Sequence, residues 1–116
     1  MELTEVELIK FISENRDVIV DEPFNGFTHN KMIFHAVRHK DSKKIFALVY
    51  VKDDKLFVDL KSDPSVASDL IEAVPYILQG QHFDKIHWLT VDIQEIESKT
   101  ELANLIEKSY QLTKKL

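Results

Sequence analysis

Nine residues in the second half of the chain, GQHFDKIHW (Gly80 to Trp88), bring together His82, Lys85, His87 and the only tryptophan. Two imidazoles suggest a metal ion or a travelling proton. A lysine beside an indole suggests a phosphate and a stacked base. The spacing speaks against a metal. Residues five apart on an extended chain point to opposite faces of a sheet, so His82 and His87 converge only if a turn intervenes around Asp84, and no third ligand lies nearby. The plainer reading makes the segment the start of a strand. His82 and Lys85 would organise it through backbone hydrogen bonds, and Trp88 would anchor it, its indole N–H finding one partner. The binding alternative has Lys85 and His87, with Tyr110, lining a groove.

A second concentration is RHKDSKK, with Arg38, His39, Lys40, Lys43 and Lys44. The chain of 116 residues carries a net charge of −5, which disfavours broad attraction to nucleic acid or to an anionic membrane, but the charge is uneven. Residues 1–22 hold seven acids (Glu2, Glu5, Glu7, Glu14, Asp17, Asp21, Glu22) against Lys10 and Arg16. Residues 38–61 hold seven bases, Lys61 the last, against Asp41, Asp53, Asp54 and Asp59. Lysines on a hairpin also keep sheet edges from pairing with other chains, so the basic run has a structural reading beside the binding one.

Other chemistries find little footing. With no cysteine there are no disulfides, thiolate nucleophiles or iron–sulfur ligands, which fits a reducing compartment. Two glycines, no phosphate loop and no nucleophile elbow argue against an enzyme, and no cofactor is expected. The opening MELTEVELIK is acidic where a signal peptide is basic, and no apolar run approaches the roughly 20 residues that span a bilayer. A cytoplasmic protein away from membranes, monomer or weak dimer, is expected.

The elements that must position these residues are legible from pattern. Thr4 and Glu7 have capping-box spacing ahead of a helix over about 4–15 with Leu8, Phe11 and Ile12 inward. VIVDEPFNGF reads as a short extended piece and a turn at Asn25-Gly26. KMIFHAVR, KIFALVYV and KLFVDL, joined by short connections, must form an antiparallel three-stranded meander over 31–60. Asp63 and Pro64 start a second helix, an acceptor at the cap and proline at the first turn, with Ala67, Leu70, Ile71 and Val74 buried and Pro75 ending it. IHWLTVDI (86–93) is a fourth strand. Ser98 and Glu101 repeat the capping box before a last helix with Leu102, Leu105, Ile106 and Leu112 inward and Lys114 and Lys115 at its negative end. The order describes one α+β domain over 1–116: an antiparallel sheet with an N-terminal, a middle and a C-terminal helix packed on it.

Five stretches, in order, resemble the MmcQ/YjbR family of small bacterial proteins. They are Pro23-Phe24, Lys44-Ile45-Phe46-Ala47-Leu48, Leu60-Lys61-Ser62-Asp63-Pro64, the group Gly80, His82, Lys85, His87-Trp88 and Thr90-Val91, and Ser109-Tyr110. The resemblance implies a CyaY/frataxin-like fold related to the double-wing DNA-binding domain of the phage transcription factor MotA, and a putative DNA-binding label that rests on fold rather than on a site. Ser62 stands where the family often has cysteine, and RHKDSKK is longer and more basic than the usual glycine-containing turn. Frataxins use an acidic ridge for iron and partner proteins, but the acids of residues 1–22 form no dense cluster at one-turn spacing. The expected function is a small non-enzymatic nucleic-acid-binding or regulatory protein contacting DNA through Arg38, Lys40, Lys43, Lys44, Lys61, Lys85 and His87. Leu60, Asp63, Pro64, Gly80, His82, Trp88 and Tyr110 serve as family-motif structure. The alternative is a protein-interaction module using the acidic helix face or a sheet groove.

Overall fold

The computed structural model describes residues 1–24 and 32–114. The elements run α1 (Glu5–Ser13), β1 (Val18–Asp21), β2 (Phe34–His39), β3 (Ile45–Lys52), β4 (Lys55–Lys61), α2 (Pro64–Ala73), β5 (Ile77–Gln79), β6 (Trp88–Asp92) and α3 (Lys99–Lys114). The strands form one antiparallel sheet in the order β1-β2-β3-β4-β6-β5. The fold is α+β as expected, with the meander in place and two strands beyond the four the pattern predicted. The turn at Asn25-Gly26 lies outside the described residues, as do Lys31 and Lys115. Among the described residues, no helix is long and apolar enough to cross a membrane.

The helices share one face of the sheet. Leu8 and Ile12 of α1, Ala67 of α2, and Leu102 and Ile106 of α3 bury themselves against Val37, Val49, Val58, Leu60, Leu89 and Val91. Strand alternation sends the other residues to the second face, where Phe34, Ala36, Leu48 and Tyr50 form a smaller cluster with Met32, Ile45, Phe57 and Phe83. Central strand β3 is covered on both sides, which explains its uninterrupted run FALVY.

The three helix starts are capped in different ways. The Thr4 hydroxyl accepts from the Glu7 amide at 3.1 Å and the Glu7 carboxylate accepts from the Thr4 amide at 2.9 Å, a complete capping box. At α2, Asp63 occupies the cap and Pro64 the first turn, but the Asp63 side chain makes no cap bond; it faces Lys108 of α3 at 3.5 Å. At α3, the Ser98 hydroxyl accepts from the Glu101 amide at 3.1 Å, while the Glu101 carboxylate takes the Tyr76 hydroxyl instead of reaching back. The inward stripe of α3 continues through Ser109 and Thr113, leaving Leu112 half-buried. The fourth predicted strand starts at Trp88 rather than Ile86, because residues 85–87 form a turn.

Candidate nucleic-acid interface

Strand register decides which charges meet. β2 leads into the turn at 40–44, β3 leads away from it, and β4 returns to end at Lys61, opposite Trp88 at the start of β6. Lys40, Lys43, Lys44, Lys61, Lys85 and His87 therefore gather at one end of the sheet. Asp53 and Asp54 occupy the β3–β4 turn at the far end, so they do not neutralise the basic hairpin. Lys40, Lys44 and Lys85 are exposed and Lys61 half-exposed, with no carboxylate within ion-pair distance among the described residues. Lys43 adopts a left-handed backbone, φ 66°, and its ammonium donates to the Lys40 carbonyl at 2.6 Å. Such a conformation disfavours side chains other than glycine, asparagine and aspartate.

Two predicted contacts are already engaged. Arg38 donates from Nε to Asp21 of β1 at 2.7 Å and from a terminal nitrogen to the Lys43 carbonyl at 3.0 Å, so it ties the sheet edge to the hairpin. His87 pairs through Nδ1 with Asp84, and this hydrogen bond, with the Ile86 amide, holds the Asp84 carboxyl below its ordinary range. Asp84 also organises the start of β6, accepting from the Ile86 amide at 2.7 Å through its side chain and from the Trp88 amide at 3.0 Å through its carbonyl. That is the job the sequence assigned to His82 and Lys85. Asp84 was legible only as a turn residue.

Beyond the Phe34–Tyr50–Phe57–Asp92 row, the second face of the sheet carries two rows toward the hairpin. Ala36, Leu48, Asp59 and Thr90 are fully buried, whereas Arg38, Ile45, Lys61 and Trp88, nearer the hairpin, are half-exposed. Asp59 is the unexpected member of the buried row. Its Oδ1 accepts from the Tyr50 hydroxyl at 2.8 Å and the Thr90 hydroxyl at 2.7 Å. The Gln81 and His82 amides face the carboxylate, yet among the described residues Oδ2 has no partner in hydrogen-bonding geometry. Burial pushes the Asp59 carboxyl up to about 6, and burial beside this acid raises the Tyr50 phenol.

Over this acid lies the segment Gly80 to Trp88. His82 is exposed as a residue, but its ring sits edge-on to Phe34 (4.7 Å) and Tyr50 (4.6 Å), and burial of the imidazole lowers its pKa. Phe83 packs on Trp88 at 4.6 Å. Gly80 lies so close that an added Cβ would meet the Trp88 carbonyl oxygen at 2.7 Å. His82 and His87 face different partners and do not converge. Among the described residues no group of three or more His, Cys, Asp or Glu could hold a metal.

Behind the hairpin, α3 braces the same end. The Ser109 hydroxyl donates to the Phe46 carbonyl at 2.6 Å and accepts from the Lys61 amide at 2.9 Å. Buried His39 meets the Thr113 hydroxyl through Nε2 at 2.7 Å, and burial lowers its pKa. Tyr110 packs on His39 and Phe46 with the Arg16 guanidinium 5.4 Å and the Lys114 ammonium 5.7 Å from its ring. Tyr110 lines a cleft with Asp17, Lys40 and Asp41, while Lys85 lines another beside α2, so the groove imagined for Lys85, His87 and Tyr110 is two separate places.

The YjbR family model matches residues 16–112. The chain is 30% identical over 122 residues to the uncharacterized protein YyaQ of Bacillus subtilis (strain 168), covering 97% of this chain and 99% of that one. Its structure is similar to that of a Pseudomonas syringae protein, with TM-score 0.79, 27% identity and coverage of 96% and 99% of the two chains. It is also similar to the Deinococcus radiodurans protein DR2400, of domain DUF419, with TM-score 0.76, 26% identity and coverage of 97% and 79%. The motif residues fall inside the matched span: Leu60 in the core, Asp63-Pro64 at the start of α2, Gly80 against Trp88, and Tyr110 on α3. From residue 16 to residue 112, this chain belongs to the YjbR family.

Proposed function

We propose that the protein is a small non-enzymatic module that binds nucleic acid, DNA in the first instance, through the basic end of its sheet. The observation that carries this reading is the gathering of Lys40, Lys43, Lys44, Lys61 and Lys85 at one end, where Asp17 and Asp41 also lie but Asp63 and Asp84 are paired with Lys108 and His87, while Asp53 and Asp54 stand with Lys52 and Lys55 at the other end. A chain of net charge −5 binds a polyanion only where its unpaired bases locally outnumber its unpaired acids. Phosphate contacts dominate such a surface, so sequence preference would be slight.

Anisotropy titrations with double-stranded DNA, single-stranded DNA and RNA at low and moderate salt test it. Binding should weaken with salt, and Lys43→Ala with Lys44→Ala should lower affinity for every sequence alike. Absence of binding to all three at low salt would remove the proposal and favour the protein-interaction alternative.

A further inference from the structure

We infer that the half-exposed end of the second sheet face seats a single strand of nucleic acid, an unpaired base stacking on the Trp88–Phe83 pair while its phosphate meets Lys61. This rests on the nucleic-acid reading above and specifies its substrate class. Lys61 and Trp88 are directly opposite in the β4–β6 register and share the second face, since Asp59 and Thr90 two residues away pair there. Arg38 and Ile45 are paired in the β2–β3 register on the same face. Across four adjacent strands the row runs Arg38, held by Asp21, then Ile45, Lys61 and Trp88, over three strand spacings, roughly 14 Å, with Lys61 the free cation of the row among the described residues.

Toward the hairpin, burial along that face falls from one row to the next. The Ala36–Leu48–Asp59–Thr90 row is fully buried, whereas the row nearer the hairpin is half-exposed. Trp88 is also rigidly placed, with Gly80 against its backbone and Phe83 at 4.6 Å from its ring, so a base meets a preformed platform. A base in a duplex has both faces covered by its neighbours; only an unpaired one can stack on a side chain set in a sheet. The Lys61 ammonium has no carboxylate partner among the described residues, which leaves it for a phosphate.

Trp88 is the only tryptophan, so intrinsic emission reports from the proposed seat alone. The experiment titrates the protein with an oligothymidylate and with a duplex of equal length, reading tryptophan emission and the anisotropy of labelled strands in parallel. Emission should be quenched by the single strand and not by the duplex, with the single strand binding more tightly. Lys61→Ala keeps the backbone bond to Ser109, and should weaken single-strand binding about tenfold and reduce the salt slope by about 0.7. Anisotropy binding without quenching, a preference for duplex, or an unaffected Lys61→Ala variant would overturn the single-strand seat and leave the broader reading standing. No anisotropy change with any nucleic acid would overturn both.

Discussion

Asp59→Asn should abolish a specific part of the protein's pH dependence. Asp59 is fully buried, accepts from Tyr50 and Thr90, and has its pKa raised from 3.8 to about 6. The native state therefore holds a proton that the unfolded chain has lost over the window between those values, and stability falls as pH rises through it. At neutral pH the ionised acid costs about 3 kcal/mol, and about 2.5 kcal/mol of that appears between pH 4 and pH 7. In Asp59→Asn the cost is gone, although an amide nitrogen without a partner replaces Oδ2 at about 1–2 kcal/mol. Urea unfolding of both proteins at unit pH steps should give a stability difference, variant minus wild type, that grows by about 2.5 kcal/mol from pH 4 to pH 7. Taking the difference removes the contributions of His39 and His82, whose lowered pKa values work in the opposite direction: the unfolded chain takes up their protons below about 6.5 and stability is lost there. A difference constant with pH would refute the claim that this carboxyl is buried at such cost.

Three further outcomes are expected. Ser109→Ala should cost about 2–3 kcal/mol in chemical denaturation, because it strands the Phe46 carbonyl and the Lys61 amide between α3 and the sheet. Gly80→Ala should displace residues 80–87, since the new Cβ meets Trp88 backbone rather than a flexible side-chain end; a changed tryptophan emission spectrum would show it. Lys43→Gly should separate fold from function, raising stability by about 0.5–1 kcal/mol through relief of the left-handed backbone while weakening nucleic-acid binding in titrations.

What the sequence revealed depended on how local the cause was. The Thr4–Glu7 box was fully legible because both bonds lie within one turn. Asp63 was legible as a cap position but not in its side chain, which Lys108 of α3 draws aside across the fold. β5 escaped notice because three residues after Pro75 carry no period, and only pairing with β6 makes them a strand. The candidate interface was half legible. The basic run was plain in RHKDSKK, but the engagement of Arg38 by Asp21, and of His87 by Asp84, needed the register and the turn. Asp59 carries a local signal of its own: an acid at an inward position of KLFVDL must be either partnered or functional.

If this acidic protein binds a polyanion as proposed, the location of its bases and not its overall charge decides it. The most direct measurement compares two double reversals with the same change in net charge, Lys43→Glu with Lys44→Glu at the hairpin and Lys52→Glu with Lys55→Glu at the opposite end of the sheet, in anisotropy titrations at low salt. The hairpin reversal should abolish binding while the other weakens it only slightly. Equal losses in the two, or a larger loss at the far end, would mean that the basic end of the sheet is not the binding surface.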